Sequence, residues 1–207
     1  MKIKKLIVTL SVATILLSSC SNDESIDTLP LINSELSSPN QENEKITIHI
    51  VETDDIVEVN SIEEAVYFIE NKYSDKVWAN STLEKIQLLK NELDYSKNLN
   101  LEDPTIEEEY AKHIKSKYSK SKISTSGILW DNSSLTGFLS VTTVPFNLKS
   151  SKVNRASAWQ CITPGAVILC DKKWFRGKKV IVVGLPILSV QLGGAYYNFD
   201  NQTDSFF

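Results

Sequence analysis

The chain of 207 residues carries 26 acidic and 22 basic residues, and its length allows one ordinary domain plus something smaller. Charge is unevenly distributed, because 22 of the acidic residues precede Gly127 while all 7 glycines lie at or after it. The acidic part would repel nucleic acid, and the basic residues of the second part are scattered rather than interleaved with stacking aromatics. We therefore exclude nucleic-acid binding.

The first 19 residues have the three parts of an export signal. Lysines open the chain, and an apolar core ending at Leu17 follows, too short for a membrane span of about 20 residues. Leu17-Ser18-Ser19-Cys20 then resembles the lipobox of bacterial lipoproteins, which implies that Cys20 is lipidated and becomes the first residue of the mature chain. The alternative is an ordinary secretory signal in which Cys20 is incidental.

The residues after Cys20 bear on the location of the protein. Lipoprotein cysteines carry several acyl chains, which would anchor the protein durably in the membrane, whereas one chain binds only marginally. The next residues, SNDE, resemble the acidic tract of surface-exported lipoproteins of the Bacteroidetes type, which implies lipid anchoring in the outer membrane and display at the cell surface. Residues 20–44 are polar and without period, and they predict a flexible tether.

Residues 45–122 predict an acidic spacer domain, either α/β or mainly helical. ITIHIVE alternates apolar and polar residues, with the isoleucines on one face, as is typical of a half-buried strand. TDD then turns the chain into a shorter strand, IVEV.

Three helix starts follow in this segment. Ser61 with Glu64, and Ser81 with Glu84, each have the spacing of a capping box. Asp103 precedes a proline, which favours an N-cap with proline at the first helical position. Apolar residues recur at helical spacing behind each start.

The only two histidines, His49 and His113, lie in different predicted elements. They are either a metal-binding or catalytic pair or, as is usual for isolated histidines, two structural or solvated residues. The chain also lacks HExxH, a nucleophile elbow, a phosphate loop and a CxxC pair. We therefore expect no enzymatic activity.

The composition changes between residues 119 and 127, where SKSKISTSG has the character of a linker. Short β-rich runs separated by turn residues follow. Two nonapeptides there share a pattern, LWDNSSLTG from Leu129 and LCDKKWFRG from Leu169. Each predicts a strand, a polar hairpin, an apolar residue folded back over the hairpin and a glycine at a sharp bend. The apolar residues are Leu135 and Phe175, and the glycines are Gly137 and Gly177.

The two nonapeptides resemble the aromatic-x-x-x-x-aromatic-x-glycine signature of the βγ-crystallin superfamily. The resemblance covers residues 127–207 and implies two Greek-key motifs packed as a sandwich. The expected fold class is α+β, with this all-β domain after a small, mainly helical acidic segment. Trp130 and Cys170 replace the usual first tyrosine, and Leu135 replaces an aromatic residue. An unrelated small sandwich or barrel is the alternative.

The resemblance also implies a calcium site, because many microbial members share the ion between two loops rich in oxygen donors. One loop is DNQTDS, with Asp200, Asn201, Asp204 and Ser205 as the donors. The partner loop, NRASAW, is poor because Arg155 stands at an acidic position, although a shift of one residue brings Ser157 into line. We therefore expect a half-built site with weak or absent calcium binding.

Cys161 and Cys170 are the cysteines left after lipidation. If Pro164 and Gly165 form a two-residue turn, these cysteines lie diagonally on one face of a hairpin, within reach of a disulfide. The compartment permits such a bond. Two small buried core residues are the alternative.

These observations favour a non-catalytic envelope or cell-surface lipoprotein, structural or ligand-binding, whose protein or carbohydrate partner the sequence does not name. The alternative is an inhibitor of secreted proteases. Some secreted microbial proteins of this fold block proteases through exposed loops, and LPILSVQLGGAYYNF is long enough to serve as one.

Overall fold

The computed structural model describes residues 45–119, 127–142, 144–193, 199 and 202–207, and all of them belong to one compact unit from Pro39 to Phe207. Besides a 3₁₀ turn at Lys173–Phe175, its elements are β1 (Ile46–Ile50), β2 (Asp55–Val59), α1 (Ile62–Tyr73), α2 (Ala79–Ser96), α3 (Pro104–Tyr118), β3 (Gly127–Asn132), β4 (Thr136–Val141), β5 (Phe146–Asn147), β6 (Ala158–Cys161), β7 (Gly165–Cys170), β8 (Lys179–Gly184), β9 (Ser189–Gln191) and β10 (Ser205–Phe206).

The elements form three layers, with the helices on one face of a six-stranded sheet and a four-stranded sheet on its other face. The strand orders are β2-β1-β8-β7-β10-β5 and β4-β3-β6-β9. One apolar core lies between the helices and the six-stranded sheet and includes Ile69, Ile86 and Ile168. A second core lies between the two sheets and includes Leu129 and Val182. The predicted α+β class is confirmed.

Strands β7 and β8 lie in the middle layer and are buried on both faces. Ala166 and Ile168 point to the helix side, whereas Val167 and Leu169 point to the four-stranded sheet. A strand with two buried faces needs apolar residues at every position, because neither face meets water. This explains the unbroken runs AVILC and VIVV.

The prediction that ITIHIVE is half buried is wrong. All five residues of β1 are buried, because the strand lies inside the six-stranded sheet, antiparallel to β2 and parallel to β8. Its isoleucines pack in the helix-side core, and Thr47 and His49 occupy the other face. The segments 45–122 and 127–207 thus contribute strands to the same sheet.

Two of the three predicted helix starts are confirmed. The Ser61 hydroxyl accepts a hydrogen bond from the Glu64 amide at 3.1 Å, and the Glu64 carboxylate accepts one from the Asn60 amide at 2.8 Å. Asp103 caps α3 through the Thr105 amide at 2.8 Å, with proline at the first position.

The predicted capping box at Ser81 is wrong. Helix α2 begins at Ala79, and its N-cap, Trp78, makes no side-chain capping bond. The Ser81 hydroxyl instead donates to the Trp78 carbonyl at 3.0 Å. Burial of Trp78 and Ala79 in the helix-side core accounts for the earlier start, since packing outweighs a local cap.

The β-rich part has two halves, β3–β6 and β7–β10, and the third strand of each half lies in the sheet that contains the hairpin of the other half. β5 follows the β3–β4 hairpin in the chain but pairs with β10 in the six-stranded sheet. β9 follows the β7–β8 hairpin but pairs with β6 in the four-stranded sheet. Each sheet therefore contains strands from both halves.

Candidate ligand-binding site

The two nonapeptides fold into hairpins with matching backbone conformations. Leu135 and Phe175 both have left-handed φ angles, 58° and 64°. The glycines two residues later match as closely, with φ of 73° at Gly137 and 74° at Gly177. The second hairpin has one further left-handed residue, Trp174, at 58°. The repeated pattern thus encodes a repeated backbone shape, as predicted.

Both glycines lie against the acidic third residue of their own nonapeptide. A Cβ built on Gly137 would lie 2.7 Å from the Asp131 Cβ, closer than two carbons can approach. A Cβ on Gly177 would overlap the Asp171 carboxylate. Glycine is therefore required at both positions for its positive φ and for the missing side chain.

The apolar residues of the hairpins differ in how well they fill their sites. Phe175 is fully buried and packs edge-on against Phe207, with ring centroids 5.1 Å apart. Leu135 at the equivalent position is only half buried. The smaller side chain leaves space beside the first hairpin that the phenyl ring occupies beside the second.

The strands that pair with the two hairpins differ at a second pair of equivalent positions, and this adds to the difference in how the hairpins are held. Cys170 in the second nonapeptide pairs with Ser205, and Trp130 in the first pairs with Ala158. The Ser205 hydroxyl accepts from the Phe175 amide at 3.1 Å and donates to the Lys172 carbonyl at 2.7 Å, which ties the second hairpin to β10. Ala158 has no hydroxyl with which to do the same.

A cavity of about 440 Å³ lies beside the first hairpin. Three parts of the chain line it: the β1–β2 hairpin with His49 and Asp54, the first folded hairpin with Ser133 and Leu135, and strand β9 at Ser189–Gln191. The four-stranded sheet supplies the strand wall, and β1 places the histidine. No single segment of the sequence carries this set.

His49 and Asp54 are the titratable residues of this cavity. The His49 Nε2 atom lies 3.1 Å from the Asp54 carboxylate; the His49 side chain is 8% exposed and that of Asp54 is 87% exposed. Burial lowers the pKa of His49, although Asp54 acts in the opposite direction. The imidazole is therefore neutral at pH 7, and Asp54 supplies the one carboxylate among the described residues that line the cavity.

His113 lies in a different cluster, so the two histidines do not form a site. Glu92 is fully buried between α2 and α3, and His113 Nε2 lies 3.2 Å from its carboxylate. Tyr118 donates to the same carboxylate at 2.7 Å, and Lys117 forms an ion pair with it. Burial opposes ionisation, but the bonds from Lys117 and Tyr118 outweigh it and lower the pKa of Glu92. This network holds the two helices together.

The helices also hold the second folded hairpin. Glu107 of α3 accepts from the Trp174 indole at 3.0 Å and from Lys173 at 3.3 Å. Arg176 donates to the Ser96 carbonyl of α2 at 3.3 Å. A groove of about 530 Å³ remains between α3 and β5, and it is bordered by charged residues such as Lys149.

The four predicted calcium ligands divide into two groups. Asp200 and Asn201 lie outside the described residues. Ser205 is buried, and the two bonds that tie down the second hairpin already use its hydroxyl. Burial, together with the charge of Asp171, raises the pKa of Asp204, so a cation there would favour its ionised form.

The partner loop NRASAW contacts the described part of the DNQTDS loop. The two loops align in the register shifted by one residue, in which Ser157 takes a ligand position. The Asn154 amide donates to the Thr203 carbonyl at 3.0 Å. The equivalence of Ala158 and Ser205 aligns Ser157 with Asp204. Arg155 points away and pairs with Asp131, its Nε 3.1 Å from the carboxylate. Its guanidinium therefore does not replace a cation between the loops.

The predicted Cys161–Cys170 disulfide is absent, and both residues are buried thiols. The hairpin on which the pairing depended does not form. Cys161 belongs to β6 in the four-stranded sheet and Cys170 to β7 in the six-stranded sheet, so Pro164 and Gly165 lie in a connection between sheets. The Cys161 thiol donates to the Thr163 carbonyl at 3.1 Å.

The described residues also bear on metal binding and on membrane insertion. Within them, no group of three or more His, Cys, Asp or Glu side chains is placed to hold a metal ion. None of the helices in this part of the chain has the length and apolar character to cross a bilayer. The predicted lipidation site, Cys20, lies outside the described residues.

Comparisons with protein-family models, with curated proteins and with solved structures find no match. The cavity itself was missed by sequence reasoning, because its walls come from segments far apart in the chain. The only local signal was the leucine at position 135, where the second copy has phenylalanine.

Proposed function

We propose that this protein is a non-catalytic, lipid-anchored envelope protein whose β-rich part is a βγ-crystallin-like pair of Greek-key motifs that binds a ligand. The observation that carries the proposal is the pair of hairpins with equal left-handed positions, each followed by a third strand that joins the opposite sheet. The four strands β3–β6 contain the first nonapeptide and the four strands β7–β10 the second, and each set has the strand number of one Greek-key motif.

The surroundings of the buried Glu92 carboxylate and the lining of the cavity favour a binding role over catalysis. The Glu92 carboxylate is fully buried, and four side chains that can donate hydrogen bonds surround it, so it serves to join helices. The cavity beside the first hairpin, in contrast, combines apolar and polar walls and has a volume typical of small-ligand sites.

The membrane anchor is tested by replacing the predicted lipidated cysteine. In cells fed a clickable fatty acid, Cys20→Ala should lose the label and the protein should leave the membrane fraction. Ser21→Ala, a change of similar size at the next residue, should behave like the wild type. Equal labelling of Cys20→Ala and the wild type would refute the anchor. Protease added to whole cells then reports whether the protein faces outward.

Inhibition of secreted proteases is a second candidate, favoured by one loop residue. Ile187 is 88% exposed and has a φ of 79°, a left-handed value that is costly for a β-branched residue. The Leu188 amide bonds the Leu185 carbonyl at 3.2 Å and closes the turn around it. Strain held at an exposed apolar residue is common where a partner docks.

Titration of a panel of secreted proteases with the purified protein tests this candidate. Ile187→Ala should weaken any inhibition at least tenfold, whereas Ile162→Ala, at a less exposed apolar residue, should not. Full protease activity at equimolar protein would remove the inhibitor candidate and leave the binding proposal standing.

A further inference from the structure

We propose that the cavity beside the first folded hairpin binds a neutral, polyhydroxylated ligand, the chemical class of short saccharides. This inference rests on the proposed binding role and adds to it a site and a ligand class. The evidence is the shape of the cavity, its unused hydrogen-bonding groups and its charge.

The shape follows from two substitutions between equivalent positions. Leu135 and Ala158 line the cavity where the second half of the sandwich has Phe175 and Ser205. In the second half the phenyl ring packs against Phe207, and the serine hydroxyl ties the hairpin to β10. The same fold thus closes one hairpin and leaves a concave space beside the other.

Three polar side chains on the walls are available to a ligand. The hydroxyls of Ser133 and Ser189 and the amide of Gln191 form no side-chain hydrogen bond with any other residue that the structure describes. Hydroxyls and an amide can each donate and accept, which suits a ligand whose own hydroxyls do both. Val51 and Ile56, both partly exposed, line the same cavity and offer apolar surface to the CH groups of a sugar ring.

The charge of the cavity selects against anions. The described residues of its lining include no lysine or arginine, and their one carboxylate, on Asp54, can accept hydrogen bonds from ligand hydroxyls. The imidazole of His49 is neutral at pH 7, since burial lowers its pKa. The groove beside the second hairpin differs, because lysines and glutamates both border it: Lys149, Lys173, Glu107 and Glu108.

Saturation-transfer NMR on the full-length protein, extracted in a detergent without sugar groups, tests the inference. The probes are maltotriose, cellotriose and tri-N-acetylchitotriose, with trigalacturonate as the anionic comparison. We expect transfer to at least one neutral trisaccharide, at millimolar affinity or better, and none to the anion.

Variants identify the site. Leu135→Phe should fill the cavity and abolish the transfer. The equivalent left-handed position of the second hairpin already holds phenylalanine, at Phe175, so the backbone accepts this side chain. The melting temperature of Leu135→Phe should therefore equal or exceed that of the wild type. Gln191→Ala, at an exposed position, should weaken binding at least tenfold without affecting folding. Lys149→Ala, in the groove beside the second hairpin, should bind like the wild type.

Three results would overturn the inference: no transfer to any neutral probe, preference for the anion, or binding that survives both Leu135→Phe and Gln191→Ala. The labelling experiment at Cys20 distinguishes a wrong ligand class from a wrong proposed function. A protein that is labelled at Cys20 and binds none of the sugars would refute only the ligand class.

Discussion

Lys85 provides a quantitative test of the packing between the helices and the six-stranded sheet. It lies on α2, is 5% exposed, and donates a hydrogen bond from Nζ to the Ala166 carbonyl of β7 at 2.7 Å. Burial lowers its pKa from 10.5 to about 8. Lys85→Met keeps the unbranched stem and removes the charge, at the cost of one donor to a buried carbonyl.

The magnitude follows from the difference in pKa between the folded and unfolded chain. The folded pKa is the lower one, so the unfolded chain binds more protons between pH 8 and pH 10.5, and wild-type stability rises across this window. A difference of 2.5 pH units corresponds to about 3 kcal/mol in total, of which about 2 kcal/mol is gained between pH 7 and pH 9.5. Lys85→Met lacks this gain.

Urea unfolding followed by tryptophan fluorescence, on a chain lacking the first 38 residues, measures the effect. The free energy of unfolding of the variant relative to the wild type should be about 2 kcal/mol lower at pH 9.5 than at pH 7, for the reason just given. Lys90→Met, at a lysine on the same helix that is 34% exposed, should show little such change. An equal difference at both pH values for Lys85→Met would refute the burial of a charged lysine.

Three further predictions concern the hairpins and their loops. Because the pKa of His49 is lower in the folded chain, the contribution of His49 to stability is fully present above pH 6.5 and is lost as the pH falls through the folded pKa. His49→Gln should therefore flatten the drop in melting temperature between pH 7 and pH 5. Gly137→Ala and Gly177→Ala should each cost about 1 kcal/mol or more in urea unfolding, and Gly177→Ala the most, because its methyl group meets a carboxylate; wild-type stability of Gly177→Ala would contradict the bend. Calcium at tenfold excess over a millimolar Kd should raise the melting temperature by a few degrees, equivalent to about 1.4 kcal/mol, and Asp204→Ala should remove the rise; no response in the wild type would exclude calcium.

Local signals in the sequence were sufficient for some elements. The caps at Ser61 and Asp103 depend on atoms two or three residues away, and both form as predicted. The nonapeptides likewise fix their own backbone shape, because glycine at positions 137 and 177 tolerates a positive φ. Ser81 has the same spacing as Ser61, but tertiary burial of the preceding residues decides the start of α2.

Contacts between distant segments account for what the sequence did not reveal. The alternation in β1 is typical of a strand with one wet face. That face is buried because β1 joins the six-stranded sheet beside β8, where the four-stranded sheet covers it. Strands β5 and β10 are two residues long, too short for a periodic signal. The prediction of a Cys161–Cys170 disulfide was wrong because the chain passes at Pro164 from one sheet to the other. The candidate cavity gave no sequence signal because three separate segments line it.

The parallel pairing of β1 with β8 has a consequence for biogenesis. Ile46 pairs with Lys179 and Ile50 with Val183, so β1 finds its parallel partner only when most of the chain has been made. Contacts of such long sequence separation form slowly. Nascent chains that stop before Lys179 should leave residues 45–119 sensitive to protease. A chain that cannot complete its central sheet early stays unfolded until synthesis is nearly finished, and throughout that time its apolar strands are open to chaperones and proteases.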